Sequence, residues 1–282
     1  MMRKNIILKL IITLFVLSCS KDNEAKKTVL EISAEIEALV YYSGEEDAST
    51  VLINTQGGPI TELDTEGFDD LLSLVNTPNL LNVNVHQAQT LNPSDFSNDD
   101  ITFEQAINYD TESIEVLYKV IKYFKDQGRN VYVLGISFGA FMTQKLILRK
   151  GLDVADKYLI MVGRLDIDEV FWQGFSEGKI GFLENGILPT VLEQDDVTLR
   201  NMSRLAAGLG RNRYTQLLNE HEDLSKVIYV YGKTDENVGK LTEAELQFLQ
   251  SKNGNIISGN GGHGGTIYSH IAQGFEEPFG IE

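Results

Sequence analysis

The segment Gly135-Ile136-Ser137-Phe138-Gly139 follows the β-branched run Asn130 to Leu134 and precedes Ala140 to Lys150, which is rich in helix formers. This order predicts a strand, a tight G-x-S-x-G turn and a helix. A serine in such a turn sits on strained backbone and projects its hydroxyl beyond the sheet. Glycines two residues to either side let neighbouring backbone pass without a Cβ clash. Ser137 is therefore the candidate nucleophile for attack on a carbonyl. A serine hydroxyl is a weak nucleophile at neutral pH, so it needs a base and a group that orients the base. Four histidines compete for the first role: His86, His221, His263 and His270.

The strand, elbow and helix resemble the α/β-hydrolase superfamily, and the resemblance covers the chain from about Val29 to its C-terminus. It implies an α/β fold: about eight mostly parallel strands, helices on both faces and a helical cap insertion. It also implies the order serine, acid after a late strand, histidine after the last strand. The segment after Lys226 to Tyr231 resembles the family's acid-bearing loop and puts Asp235 in the acid position, although aspartate is common in plain turns too. Glu236 and, more distantly, Asp166 are the fallbacks. His263 lies in Gly261-Gly262-His263-Gly264-Gly265, where glycines allow the chain to fold back toward the serine, and it is the expected base. His270 is expected in the final helix and His221 on a charged surface. His86 reads as a hydrogen-bonded loop residue rather than part of a pocket.

Acyl transfer builds negative charge on the former carbonyl oxygen, which N–H donors must meet. The resemblance implies one donor at Phe138 and one in Gln56-Gly57-Gly58-Pro59, at Gly57 or Gly58. That loop is similar to the H-G-G-P sequence of prolyl-oligopeptidase-like members, with Gln56 in place of the histidine. Which N–H in the loop donates stays open, and a plain Gly-Gly-Pro turn is the bland alternative.

These residues need a scaffold. Val29 to Ser33 and Ile36 to Tyr42 read as an opening antiparallel pair. Val51 to Asn54, Leu80 to Val85, Val131 to Leu134, Tyr158 to Val162, Val227 to Tyr231 and Asn255 to Ser258 follow as strands. Glu112 to Asp126 places Ile114, Leu117, Val120, Ile121 and Phe124 on one helical face, with Asp110 or Thr111 as its cap. The interval of about 165–225 is too long for a simple crossover and holds helical stretches at Asp196 to Leu209 and Tyr214 to Leu218. Phe171, Trp172, Phe175 and Phe182 in its front half are read as the core of a cap before a substrate wall.

Met1 to Lys4 is basic, Asn5 to Leu17 is a mostly apolar run, and Val16-Leu17-Ser18-Cys19 follows, which resembles a bacterial lipoprotein signal. About thirteen residues are too few to cross a ~30 Å hydrocarbon core. The resemblance implies cleavage after residue 18, lipidation of Cys19, a tether over 19–27 and a folded domain over 28–282, held at the outer membrane or cell surface. Cys19 is the only cysteine, so no internal disulfide can form.

With 24 Lys and Arg against 41 Asp and Glu, the chain carries a net charge of −17, which repels phosphate backbones and argues against nucleic acid. No H-E-x-x-H, Walker A lysine or early G-x-G-x-x-G occurs, so cofactor-free chemistry is expected. The expected function is a lipid-anchored serine hydrolase acting on a small-molecule or peptide substrate, at an ester or amide bond. The alternative is a non-catalytic binding or surface-interaction lipoprotein that keeps the fold.

Overall fold

The computed structural model describes residues 32–75, 77 and 79–280. Cys19, the leader and the tether lie outside these residues. Strands β1 (Val40–Gly44), β2 (Thr50–Thr55), β3 (Leu80–Val85), β4 (Asn130–Ile136), β5 (Lys157–Met161), β6 (Ile180–Glu184), β7 (Leu188–Leu192), β8 (Val227–Gly232) and β9 (Asn255–Gly259) alternate with helices. The helices are α1 (Ala34–Glu37), α2 (Thr65–Leu72), α3 (Ala88–Leu91), α4 (Ser94–Ser97), α5 (Phe103–Asp126), α6 (Phe138–Lys150), α7 (Glu169–Ser176), α8 (Val197–Gly210), α9 (Tyr214–Leu217), α10 (Glu243–Ser251) and α11 (His263–Phe279).

Seven strands form one sheet in the order β1-β3-β2-β4-β5-β8-β9. All neighbours are parallel except β1, which runs antiparallel to β3. Successive residues of a strand face opposite sides, and the core divides accordingly. Val51, Ile53, Val133 and Ile160 join one apolar cluster with Leu117, Val120 and Phe124 of α5 and Leu146 of α6. Leu52, Leu134, Leu159 and Met161 join a second with Phe68 and Leu71 of α2 and Ile271 and Phe275 of α11. Strands buried on both faces read as nearly continuous apolar runs, which is why they were visible in the sequence.

Four expectations require correction. Among the described residues the opening antiparallel pair does not form. Val29 to Glu31 lie outside the described residues, Ile36 is buried in the single turn of α1, and β1 pairs with β3 instead. Among the described residues the main sheet therefore has seven strands against the expected eight or so. Helix α5 starts at Phe103, not Glu112: Thr102 and Gln105 make a reciprocal capping box, and Asp110 lies buried within the helix rather than capping it. Finally, the segment between β5 and β8 is not purely helical. Strands β6 and β7 form an antiparallel hairpin with Asn185 and Gly186 at its tip, both at positive φ (53° and 70°). Asn-Gly between apolar runs is the strongest short-range hairpin signal, and it was present in the sequence.

A buried ion pair anchors this inserted segment at its root. Arg164 Nε donates to Glu245 Oε1 at 3.0 Å, and the same oxygen accepts from the N–H groups of Leu165 (2.9 Å) and Asp166 (2.8 Å). Glu245 is in turn part of the capping box that starts α10.

Candidate active site

Ser137 sits between β4 and α6 with φ 54° and ψ −113°, a region that costs a non-glycine residue about 1–3 kcal/mol. Its N–H donates to Met161 O at 2.9 Å, which ties the turn to the end of β5. The helix it introduces is buried on nearly all sides, from Phe138 and Gly139 through Gln144 to Ile147, so the strained turn is held by packing around the whole element. Gly139 has no room for a side chain: a Cβ there would lie 1.8 Å from Thr55 O. Thr55 Oγ1 and Thr143 Oγ1 both donate to Gly139 O, at 2.8 and 2.9 Å, closing the elbow against β2.

Asp235 follows β8 and is completely buried. Its Oδ1 accepts the N–H groups of Asn237 (2.9 Å) and Val238 (3.1 Å), and its Oδ2 lies 2.7 Å from His263 Nδ1. A carboxylate with three donors is satisfied although buried. Because it offers only lone pairs, the imidazole proton belongs on Nδ1, leaving Nε2 as an acceptor. His263 is the first residue of α11, so the helix start, rather than a free glycine loop, sets its position. The cap hairpin supports the acid loop from outside: Leu183 N–H donates to Glu236 O at 2.7 Å, and Lys240 N–H to Gly186 O at 3.1 Å.

Ser137 and His263 line a common cavity of about 390 Å³ with Asn54, Asp64 and Asn237. No hydrogen bond joins the two among the described residues, a looseness frequent in substrate-free catalytic sites. On its other side Ser137 borders a second cavity of about 310 Å³ walled by Phe138, Phe141, Phe171, Trp172 and Phe175. Phe171, Trp172 and Phe175 thus do more than fill a cap core, whereas Phe182 is exposed on the outer face of the hairpin and belongs to neither cavity. Asn237 lines both cavities, a position no reading of the sequence assigned it. The Asp-x-Asn pattern at 235–237, a side-chain-capped turn, was the available signal.

The N–H of Phe138 is at the first helical position of α6, where no intrahelical acceptor exists. Gly57 abuts the nucleophile, since a Cβ there would touch Ser137 Cβ at 3.4 Å, and Gly58 lines both cavities. Gln56 is buried beneath this loop. Its Nε2 donates to Glu62 O and its Oε1 accepts from Asp64 N–H, both at 2.8 Å, while Gln87 Nε2 donates to Gln56 O at 3.1 Å. The residue that departs from the H-G-G-P pattern is a brace for the loop.

The remaining candidates lie elsewhere. Asp166 accepts from Thr215 N–H at 3.2 Å and from its hydroxyl, and the side chain of Glu236 is exposed. His86 Nδ1 meets Thr90 Oγ1 at 2.9 Å, and burial lowers its pKa from the usual imidazole value. His270 Nδ1 lies 3.3 Å from Thr266 O, one turn back in α11. His221 lines a shallow depression beside Lys150 and Asp153. Among the described residues, no group of three His, Cys, Asp or Glu side chains could hold a metal ion, and no helix is long and apolar enough to cross a membrane.

No protein-family model matches the sequence, and no curated protein is significantly similar to it. Solved structures are similar in fold. MGS-M2, an alpha/beta hydrolase enzyme from a Medee basin deep-sea metagenome library, aligns with a TM-score of 0.56 at 12% identity, over 86% of this chain and 94% of that one. Est1E from Butyrivibrio proteoclasticus with ferulic acid bound aligns at 0.53 and 14%, over 86% and 95%. A bromoperoxidase from Bacillus anthracis aligns at 0.52 and 13%, over 85% and 93%. With a mostly parallel sheet, a strained serine at the β4–α6 elbow and these neighbours, the chain has the α/β-hydrolase fold.

Proposed function

We propose that this protein is a serine hydrolase that cleaves an ester bond, with amides and peptides as the less favoured class, through an acyl-enzyme on Ser137. The observation that carries the reading is the fully buried Asp235 held on His263 Nδ1 at 2.7 Å, on the same cavity as a serine with strained backbone. His263 Nε2 takes the hydroxyl proton as Ser137 Oγ bonds to the carbonyl carbon. The N–H groups of Phe138 and of Gly57 or Gly58 stabilise the oxyanion. The proton passes to the leaving group as its bond breaks, and water, deprotonated by the same imidazole, releases the acid. The aromatic cavity beside Ser137 suits an apolar acyl group, and the ferulic acid bound to Est1E is an example of an aromatic acid on this fold.

Cys19 as a lipidated N-terminus would place this chemistry in the bacterial cell envelope. Palmitate incorporation that disappears in Cys19→Ala, together with release of the protein from membranes, is the expected outcome.

The central experiment is labelling of the full-length protein with a fluorophosphonate. Wild type should react at Ser137 and Ser137→Ala should not. A folded wild type that fails to label would favour the non-catalytic reading, for which the unclosed contact between Ser137 and His263 is the supporting observation.

A further inference from the structure

We propose that a cavity on the opposite end of α6 from Ser137 is a second binding site, for a phosphate-type oxyanion held between Asp110, Lys145, Arg149 and Arg211. These four side chains line a cavity of about 310 Å³ formed by α5, α6 and the C-terminal end of α8. Lys145 is eight residues along α6 from Ser137, or about 12 Å at the helical rise, so the two sites do not share walls. The inference does not depend on the catalytic reading.

Asp110 is the unusual member. It is 4% exposed, it lines the cavity, and neither carboxyl oxygen has a hydrogen-bond partner among the described residues. Buried polar atoms are rarely left this way. The fold makes room for the group: a Cβ at Gly208, on the facing turn of α8, would lie 2.0 Å from Asp110 Oδ2.

The cations around it are under-neutralised within a chain of net charge −17. Among the described residues, half-buried Lys145 hydrogen-bonds only the amide oxygen of Asn212, at 3.2 Å. Arg149 is 3.8 Å from Glu115, whose carboxylate is held more closely by Lys150 at 2.7 Å. Arg211 rests over the Phe103 ring at 5.7 Å and makes no ion pair among the described residues. Burial, then Arg149 and Arg211, lowers the Lys145 pKa, and burial raises that of Asp110 well above the carboxylate range. The cavity therefore holds positive charge that its one carboxyl group does not offset.

A tetrahedral oxyanion supplies what is missing. One oxygen can share a proton with Asp110, and the others accept from the ammonium and guanidinium groups, which bind anionic oxygens by charge-assisted hydrogen bonds. A divalent cation does not fit, because three cationic side chains face one carboxyl group. The cavity accommodates either free phosphate or a phosphate monoester, and both present the same chemistry.

The test is calorimetric titration of the full-length protein with inorganic phosphate and, separately, glycerol phosphate, at constant ionic strength set by chloride. One saturable site is expected, unchanged in Ser137→Ala and weakened at least tenfold in Lys145→Met and Arg149→Met. Tighter binding of glycerol phosphate would support the site and identify a monoester as its ligand; equal or weaker binding would support it and identify free phosphate. The exposed Arg149 keeps the test informative if Lys145→Met fails to fold. Absence of saturable binding of both probes to the wild type, or undiminished binding in a folded Arg149→Met variant, would overturn the proposal whatever the outcome of fluorophosphonate labelling.

Discussion

His263 Nδ1 and Asp235 Oδ2 lie 2.7 Å apart although 28 residues separate them, and the carboxylate is shielded from water while the imidazole reaches a cavity. The acid is thus placed to hold the ring in one tautomer and to stabilise the imidazolium that forms during attack. Asp235→Asn preserves the shape but presents an amide that can hold the wrong tautomer. Fluorophosphonate labelling of Ser137 should slow by roughly 10³–10⁴ while circular dichroism stays native.

The aromatic cavity should select the acyl group. Ala206 lines it without filling it, so Ala206→Phe would occupy volume while leaving Ser137, Asp235 and His263 in place. On a series of nitrophenyl esters, kcat/KM for long or aromatic acyl groups should fall about 10- to 200-fold, the range in which hydrophobic pockets discriminate, with acetate esters little affected. Equal losses across the series would place acyl recognition elsewhere.

Gly139→Ala tests the elbow sterically. The new methyl group would sit 1.8 Å from Thr55 O, so β2 or α6 must shift. Destabilisation of about 1–3 kcal/mol or more in urea melts is expected, with loss of labelling even where the variant folds.

The root of the inserted segment depends on Glu245. Removing it by Glu245→Ala leaves Arg164 buried and the backbone N–H groups of Leu165, Asp166 and Thr242 without this acceptor. A loss of about 3–5 kcal/mol is expected from urea unfolding, the cost of an uncompensated buried charge. A change below about 1 kcal/mol would mean that solvent reaches the pair.

Asp110 makes stability depend on pH with a defined sign. Burial is the largest influence and raises its pKa above the unfolded value of about 3.9, so the native state holds the proton more tightly. Its contribution is present in full below about pH 4 and is lost as pH rises through the folded pKa. Lys145 on α6 and Arg211 after α8 favour the ionised form and reduce the shift, and Arg149 lines the same cavity; Tyr214, whose own pKa is raised by burial and then by this carboxyl, is the other titratable group coupled to it. In phosphate-free buffer, Asp110→Asn should therefore raise Tm relative to wild type more at pH 7 than at pH 4, as read by paired thermal melts.

What the sequence determined by itself was local. The elbow is contiguous, so its strand, turn and helix could be read together, and the parallel strands are doubly buried and hence uniformly apolar. Segments whose partners are remote were less legible. Ile36 looked like strand because an apolar residue between polar neighbours fits one buried turn of helix as well as a pleat, and only the edge left open on β3 decided where β1 pairs. Asp110 looked like a cap because nothing near it in sequence signals that Gly208 clears space for a buried carboxyl group. Only tertiary packing placed Asp235 on His263, made Phe171 and Trp172 walls of a cavity beside Ser137, and set Asn237 between two cavities. Distance and burial arise from chains crossing in space, and residue type alone does not encode them.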